Sequence, residues 1–263
     1  MIQSALTNPK FNSVDHRPSL TLIKDGQSPV RRNKDGSLDR RRCHKQAGKS
    51  SEVYAFKSES EINAMNAVFD YRIAHAYGED RHMEQRNKLL FNIGINIGLR
   101  ASDLCSLKWS FFFEDETLMV KDHEALIPKK QRKTGKYVKI FCNSNVIKIL
   151  DQYIEEYPVD DLDSYIFYSR KTGNHIEEKS LWKIIKTAAK EAGIKQNIGS
   201  HSLRKTFGYW VWHLAADKND ALVKLQYIFR HDNPITTMRY IGIYDNDLRD
   251  TFESLNFGDG YLS

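Results

Sequence analysis

Between Asp80 and Gly98 the apolar residues Leu89, Leu90, Ile93 and Ile97 recur at helical intervals, and the run stops on glycine. Steps of three and four residues place these side chains on one stripe of a helix, which has to be buried against other elements. Gly98 supplies the left-handed turn that closes such a helix. The same pattern organises much of the chain. Ser58 or Ser60 is positioned to cap a helix through Ile62, Met65, Ala67, Val68 and Phe69, with Glu59 and Glu61 in its first turn. Ala101 to Trp109 starts again, with Ser102 as the cap. Further helices are expected over Ser144 to Tyr157, halted before Pro158, and over Glu178 to Ala192, halted at Gly193. Two more cover Ser202–Ala216 and Ala221–Phe229, and a short one opens at Asn233-Pro234, with Asn as cap and Pro at the first helical position. Leu248 to Leu255 is the last apolar segment.

Three segments read instead as strands: Thr117–Lys121, Ala125–Lys130 and Tyr137–Phe141. The last two flank Lys133-Thr134-Gly135-Lys136, a hairpin loop with glycine where a positive φ is wanted. Tyr165–Tyr168 is a candidate for a fourth. The expected class is mainly α with a small antiparallel β-sheet.

Charge divides the chain unevenly. The formal charge is +6, yet residues 1–50 hold 11 Lys+Arg against 4 Asp, a net +7 that leaves the remainder at −1. The domains expected are therefore a basic N-terminal arm, 1–53, extended or flexible, and an ordered body, 54–263. Arg31, Arg32, Lys34, Arg40, Arg41 and Arg42 are the arm's candidate contacts to a polyanion. A solvated tail accounts for the charge alone equally well. Gly48-Lys49-Ser50 has the ending of a phosphate-binding loop, but Cys43 stands where its first glycine belongs and no apolar strand precedes it. Cys43, Cys105 and Cys142 are odd in number and form no metal or disulfide pattern, which points to a reducing interior. No secretory signal or run of membrane-spanning length is present, so the cytoplasm is the expected location.

The chemistry concentrates near the C-terminus. Gly199-Ser200-His201-Ser202-Leu203-Arg204-Lys205-Thr206-Phe207, Arg230-His231 and Met238-Arg239-Tyr240 bring two histidines, arginines and a tyrosine into a short span. Cutting a phosphodiester with a protein nucleophile calls for that mixture. Cations hold the non-bridging oxygens, an imidazole handles a proton and a phenol attacks. Each residue alone has a plainer reading: Arg100 as a helix-end cation, Asp103 as a helix-start acid, His231 as a helix-end histidine. A lone His-x-x-Arg is more often a surface pair.

Taken together, the segments resemble the tyrosine recombinase (phage integrase) family, whose signature runs His-x-x-Arg, then a histidine, then a tyrosine one short helix later. The resemblance extends from about Tyr54 to Phe257. It implies the catalytic-domain fold of these DNA breaking-rejoining enzymes. It assigns Arg100 and Arg204 to the phosphate clamp, with Asp103 orienting Arg100. His201 becomes the acid/base partner, and His231 stands as the second catalytic histidine. Lys133, at the hairpin tip, becomes the proton donor to the leaving oxygen, with Lys130, Arg132 and Lys136 as rivals or backbone-phosphate contacts. Tyr240, nine residues after His231 as in the family, becomes the nucleophile, and Tyr244 is a nearby competitor. One position departs from the pattern: where the family has glycine before the second histidine, this chain has Arg230, for which a positive φ is costlier.

The activity implied is site-specific DNA recombination, or integration, of a mobile genetic element through a 3′-phosphotyrosine, without metal, cofactor or ATP. The partner implied is double-stranded DNA, engaged by a homotetramer on two sites and by a monomer or dimer when free. The segment after Tyr240 packs either on its own domain or on a neighbour. The family's helical core-binding domain does not fit in about 50 residues. Either the basic arm replaces it or the sequence is part of a longer chain. The alternatives are a type IB topoisomerase and a non-catalytic DNA-binding regulator.

Overall fold

The computed structural model describes residues 52–113, 121, 123–126, 138–244 and 252. These form a mainly helical body. Helix α1 (Glu59–His75) opens on a capping box: the Ser58 hydroxyl accepts the Glu61 N–H at 3.2 Å, and the Glu61 carboxylate accepts the Ser58 N–H at 3.3 Å. Of the two serines considered as caps, Ser58 is the one used. Helix α2 (Gly78–Ile97) begins two residues before Asp80 and ends, as its pattern requires, on Gly98 in the left-handed region, φ 62°.

Helix α2 is the centre of the main core. Leu89, Leu90, Phe91, Ile93 and Ile97 are all buried. Together they cover more of the circumference than one stripe, as expected of a helix enclosed by others. Met65 and Phe69 reach it from α1, Val146 and Leu150 from α4 (Ser144–Glu156), Leu181 and Ile185 from α5 (Glu178–Glu191), and Leu203 from α6 (Ser200–Leu214). A second, smaller core joins Leu222, Leu225 and Phe229 of α7 (Lys218–Phe229) to Ile241 of α8 (Pro234–Ile241) and to Ile243. Phe207, Tyr209 and Trp212 of α6 pack against it. One helix therefore contributes to both cores, Leu203 to the first and Phe207 to the second.

Among the described residues there is almost no sheet. Strands β1 (His123–Leu126) and β2 (Val138–Phe141) pair antiparallel, His123 opposite Phe141 and Leu126 opposite Val138. Residues 117–120 and the hairpin tip lie outside the described residues, as do residues 1–51 of the basic arm and the Leu248–Leu255 segment apart from Phe252.

Several boundaries differ from the sequence expectation, for local reasons. Helix α3 (Ala101–Cys105) is capped by Arg100, not Ser102, because it starts immediately after the Gly98 turn; the Arg100 carbonyl accepts the Asp103 and Leu104 N–H groups at 3.0 and 2.9 Å. It stops well before Trp109. The Ser106 hydroxyl bonds the Ser102 and Asp103 carbonyls, a local alternative to continuing the helix. Trp109–Phe111 is a 3₁₀ turn. Tyr165–Tyr168 forms no strand, only isolated bridges from Tyr165 to Lys108 and from Tyr168 to His175. Helices α6 and α7 start earlier than their apolar residues suggest. Asp217 caps α7 by accepting the Asn219 and Asp220 N–H groups at 2.8 and 3.1 Å. No helix of the described residues is long and apolar enough to cross a membrane.

Gly98 is doubly constrained. Its φ is positive, and a Cβ there would come within 2.2 Å of the Phe207 ring. Gly98→Ala is expected to cost about 3 kcal/mol, from left-handed strain plus overpacking. Urea unfolding measures this, and a loss below about 1 kcal/mol would contradict the packing described here.

Candidate active site

Helix α6 starts from extended Gly199, whose N–H is accepted by the Ser202 hydroxyl at 3.1 Å. His201, its second residue, is exposed. Arg204, one turn on, is only 5% exposed and sits between the residues that serve the two cores. A buried guanidinium needs acceptors, and two helix ends provide them. Arg204 donates through one nitrogen to the Gly98 carbonyl, at the C-terminus of α2. Its other terminal nitrogen donates to the Phe229 carbonyl, at the C-terminus of α7, at 3.2 Å. These carbonyls carry the negative ends of the helix dipoles. The guanidinium also lies 4.2 Å from the centre of the Phe229 ring.

Arg100 donates to that same Phe229 carbonyl at 3.1 Å. The two guanidiniums thus converge on one oxygen although they repel. Together with buried Asp103, with Gly98 and with Ile140 of β2 they line a small crevice. Burial first, and Arg100 next, push Arg204 down to about 10, while Tyr240 and Asp103 act in the opposite direction. A bound anion would relieve the repulsion, and the five-donor fork of arginine suits a phosphate.

Helix α8 carries Tyr240 to this place. Asn233 caps it by accepting the Thr236 N–H at 2.8 Å, Pro234 is its first residue, and Gly242 closes it at φ 73°. The half-buried Tyr240 ring meets His231 edge-on at 5.2 Å and Phe229 at 5.4 Å. Burial raises its phenol above the ordinary value, opposed by the charges of Arg204 and Arg100. His231 pairs through Nδ1 with the buried Thr237 hydroxyl at 3.0 Å. Burial, then Arg204 and Arg100, hold its imidazole below the usual histidine value, against a smaller opposing effect of Asp232.

Arg230 adopts φ 55°, the only positive φ outside glycine among the described residues. The turn is therefore kept despite the substitution at that position, and the Arg230 guanidinium rests 4.6 Å from the Tyr227 ring.

Arg100, Asp103, Arg204, His231 and Tyr240 are thus brought together, and His201 stands at the exposed start of α6. Lys133, Lys130, Arg132 and Lys136 lie outside the described residues, as do Arg31, Arg32, Lys34, Arg40, Arg41 and Arg42. Tyr244, the competitor, follows the Gly242 turn beyond the end of α8, and the Arg239 guanidinium is 4.8 Å from its ring. Sequence reasoning gave no role to Lys205, which is 7% exposed with its ammonium 5.4 Å from the centre of the Tyr240 ring. Its place directly after Arg204 was the available signal. No cluster of His, Cys, Asp and Glu among the described residues is arranged to hold a metal ion.

Residues 58–247 match the family model of the phage integrase family. The chain belongs to the phage integrase family. Among its relatives, the probable integrase/recombinase YoeC of Bacillus subtilis is 33% identical over 170 residues, covering 64% of this chain and 84% of that protein. The tyrosine recombinase XerC of Thermodesulfovibrio yellowstonii is 25% identical over 174 residues, covering 65% of this chain but 54% of the relative. The chain thus spans about half the length of that integrase-family relative. In fold it is similar to the crystal structure of XerA recombinase, with a TM-score of 0.55 at 20% identity over 82% of this chain and 68% of that one. It also resembles XerH recombinase bound to palindromic difH substrate, with a TM-score of 0.53 at 19% identity over 76% and 53% of the two chains.

Two measurements test the local physics. Arg230→Gly removes left-handed strain of ~1–2 kcal/mol but adds unfolded-state freedom, so a net gain of about 0.5–1 kcal/mol is expected in urea unfolding. A loss of stability would show that the Arg230 side chain contributes more than its backbone costs. For His231, the folded-state value is depressed, so the unfolded chain takes up the proton more readily. Its stabilising contribution is present above about pH 6.5 and is lost as pH falls through the lower folded-state value. Between pH 7.5 and 5, wild type should lose more stability than His231→Gln, and identical losses would contradict the assignment.

Proposed function

We propose that this chain is a site-specific DNA recombinase that cuts and rejoins strands through Tyr240. The observation that carries the reading is the shared Phe229 carbonyl: Arg100 and Arg204 both donate to it, beside the Tyr240 ring, which packs edge-on against Phe229 at 5.4 Å. Two rigid cations next to a tyrosine suit a phosphodiester better than a neutral substrate.

In the proposed reaction Arg100 and Arg204 bind the non-bridging oxygens of one DNA phosphate, and Asp103 balances their charge. The Tyr240 oxygen forms a bond to phosphorus as the bond to the 5′-oxygen breaks. The phenolic proton passes to a histidine, His201 or His231, and the leaving 5′-oxygen takes its proton from Lys133. A phenol leaves phosphorus more readily than an alkyl alcohol, so a DNA 5′-hydroxyl reverses the link without ATP. Burial disfavours the Tyr240 phenolate in the free protein, and the two cations favour it as it attacks.

The finer assignments belong to the same proposal. Residues 54–263 form the catalytic domain, in which β1 and β2 extend with Thr117–Lys121 into a small antiparallel sheet carrying Lys133 at its hairpin. The basic arm, 1–53, with Lys130, Arg132 and Lys136, contacts the DNA backbone. A tetramer on two DNA sites performs the exchange, and the segment after Tyr240 packs on its own domain or a neighbour's. The enzyme acts in the cytoplasm.

Incubation with a nicked suicide duplex carrying the site should trap a covalent protein–DNA adduct on a denaturing gel. Tyr240→Phe should abolish it, and Arg204→Ala should lower its rate at least ~100-fold. An adduct formed by Tyr240→Phe would refute the choice of nucleophile. Relaxation of supercoils without exchange of defined sites would favour a topoisomerase. Deleting residues 1–50 should weaken DNA binding and flatten its salt dependence, by a slope of about 0.9 for each DNA phosphate that is no longer neutralised. Unchanged affinity at every ionic strength would count against the arm.

A further inference from the structure

The segment before α1, Glu52–Lys57, has no regular secondary structure and touches several residues distant in sequence. The Tyr54 N–H donates to the Asn197 carbonyl at 2.9 Å, and the Asn197 side-chain amide donates to the Glu52 carbonyl at 2.8 Å. The Phe56 N–H donates to the Thr206 hydroxyl at 2.8 Å, and the Trp210 indole donates to the Phe56 carbonyl at 2.9 Å. Phe56 is fully buried, with its ring edge-on to Phe91 at 5.7 Å. These bonds fasten the segment to α6 and to the turn before it.

Two lysines extend that fastening to the end of the chain's last described helix. Lys57 donates to the Gly242 carbonyl at 2.7 Å, where α8 closes. Lys205 is ion-paired with Glu52 at 2.7 Å, and its ammonium lies 5.4 Å from the centre of the Tyr240 ring. The Tyr240 ring thus has His231 and Phe229 edge-on and a tethered ammonium close by. Helix α8 has only eight residues, far fewer than an isolated helix needs to be stable, so its position depends on such outside contacts. A cation bonded at its C-terminal carbonyl is favourable for the dipole as well.

We propose that Glu52–Lys57 is a strap that sets the position of the Tyr240 helix, with Lys57 and Lys205 as positioning residues. The proposal rests on the reading of Tyr240 as the nucleophile. Lys57 acts by holding the C-terminal turn of α8, and Lys205, fixed by Glu52, holds the ring. Attack on phosphorus is sensitive to a misplacement of about 1 Å, which can cost ~100-fold in rate. Loosening the strap therefore slows the cleavage step and leaves DNA affinity in place.

The test is single-turnover adduct formation on the suicide duplex at saturating DNA, with duplex affinity measured separately. Lys57→Met is expected to lower the rate ~10–100-fold, and Glu52→Gln several-fold, with duplex affinity within about threefold of wild type. Lys57→Arg, which can still reach the carbonyl, should recover part of the loss. Glu52 is exposed, so its variant folds and keeps the test open should Lys57→Met be unstable. A scissile phosphate with sulfur in the 5′-bridging position supplies a better leaving group. The ratio of variant to wild-type rates should be unchanged on it. Wild-type rates in both variants would overturn the strap, as would a sulfur substrate that restores Lys57→Met to wild type, since Lys57 would then be a proton donor. An absence of adduct in wild type, or an adduct in Tyr240→Phe, would instead refute the reading of Tyr240.

Discussion

Two positive charges directed at one carbonyl oxygen are the constraint on which the site depends. Arg100 and Arg204 both donate to the Phe229 carbonyl, at 3.1 and 3.2 Å. Like charges held so close, one of them buried, are unfavourable unless dipoles or a counter-charge compensate. The protein supplies part of that compensation from the C-terminal ends of α2 and α7 and from Asp103. A bound anion would supply the remainder, and Tyr240 and His231 are held against the same Phe229 ring.

The wider fold serves this placement. Helix α6 lies between two hydrophobic cores, so Arg204 cannot move without disturbing one of them. The Gly98 turn lets α2 and α3 follow each other closely enough that Gly98, Arg100 and Asp103 share one crevice. The second core is small, and Phe229 is among its fully buried members. Its burial, worth ~2–3 kcal/mol, fixes the end of α7 at which both arginines meet.

Much of this was legible in the residues. The caps of α1 and α8 and the stop at Gly98 follow from local chemistry, which sequence displays directly. Arg204 and Tyr240 stood out because their motifs are nearly contiguous. The unread parts depend on distant neighbours. Lys205 looks like any helix lysine until Glu52, 153 residues away, and the Tyr240 ring are seen around it. Lys57 gains meaning only through Gly242, 185 residues on. Ser102 misled because a preference for caps cannot reveal that the preceding turn had already placed Arg100 in that role. Tyr165–Tyr168 is apolar enough for a strand but meets other segments only through isolated bridges.

The central claim is that the paired arginines and the tyrosine address one phosphorus atom. A crystal structure of the protein on a duplex carrying its recombination site tests this directly. The expected result is a single backbone phosphate whose non-bridging oxygens lie within about 3 Å of both the Arg100 and the Arg204 guanidinium, with the Tyr240 oxygen in line with the 5′-oxygen or already bonded to phosphorus. A duplex whose phosphates are held elsewhere, with both guanidiniums still turned only to Phe229, would contradict it.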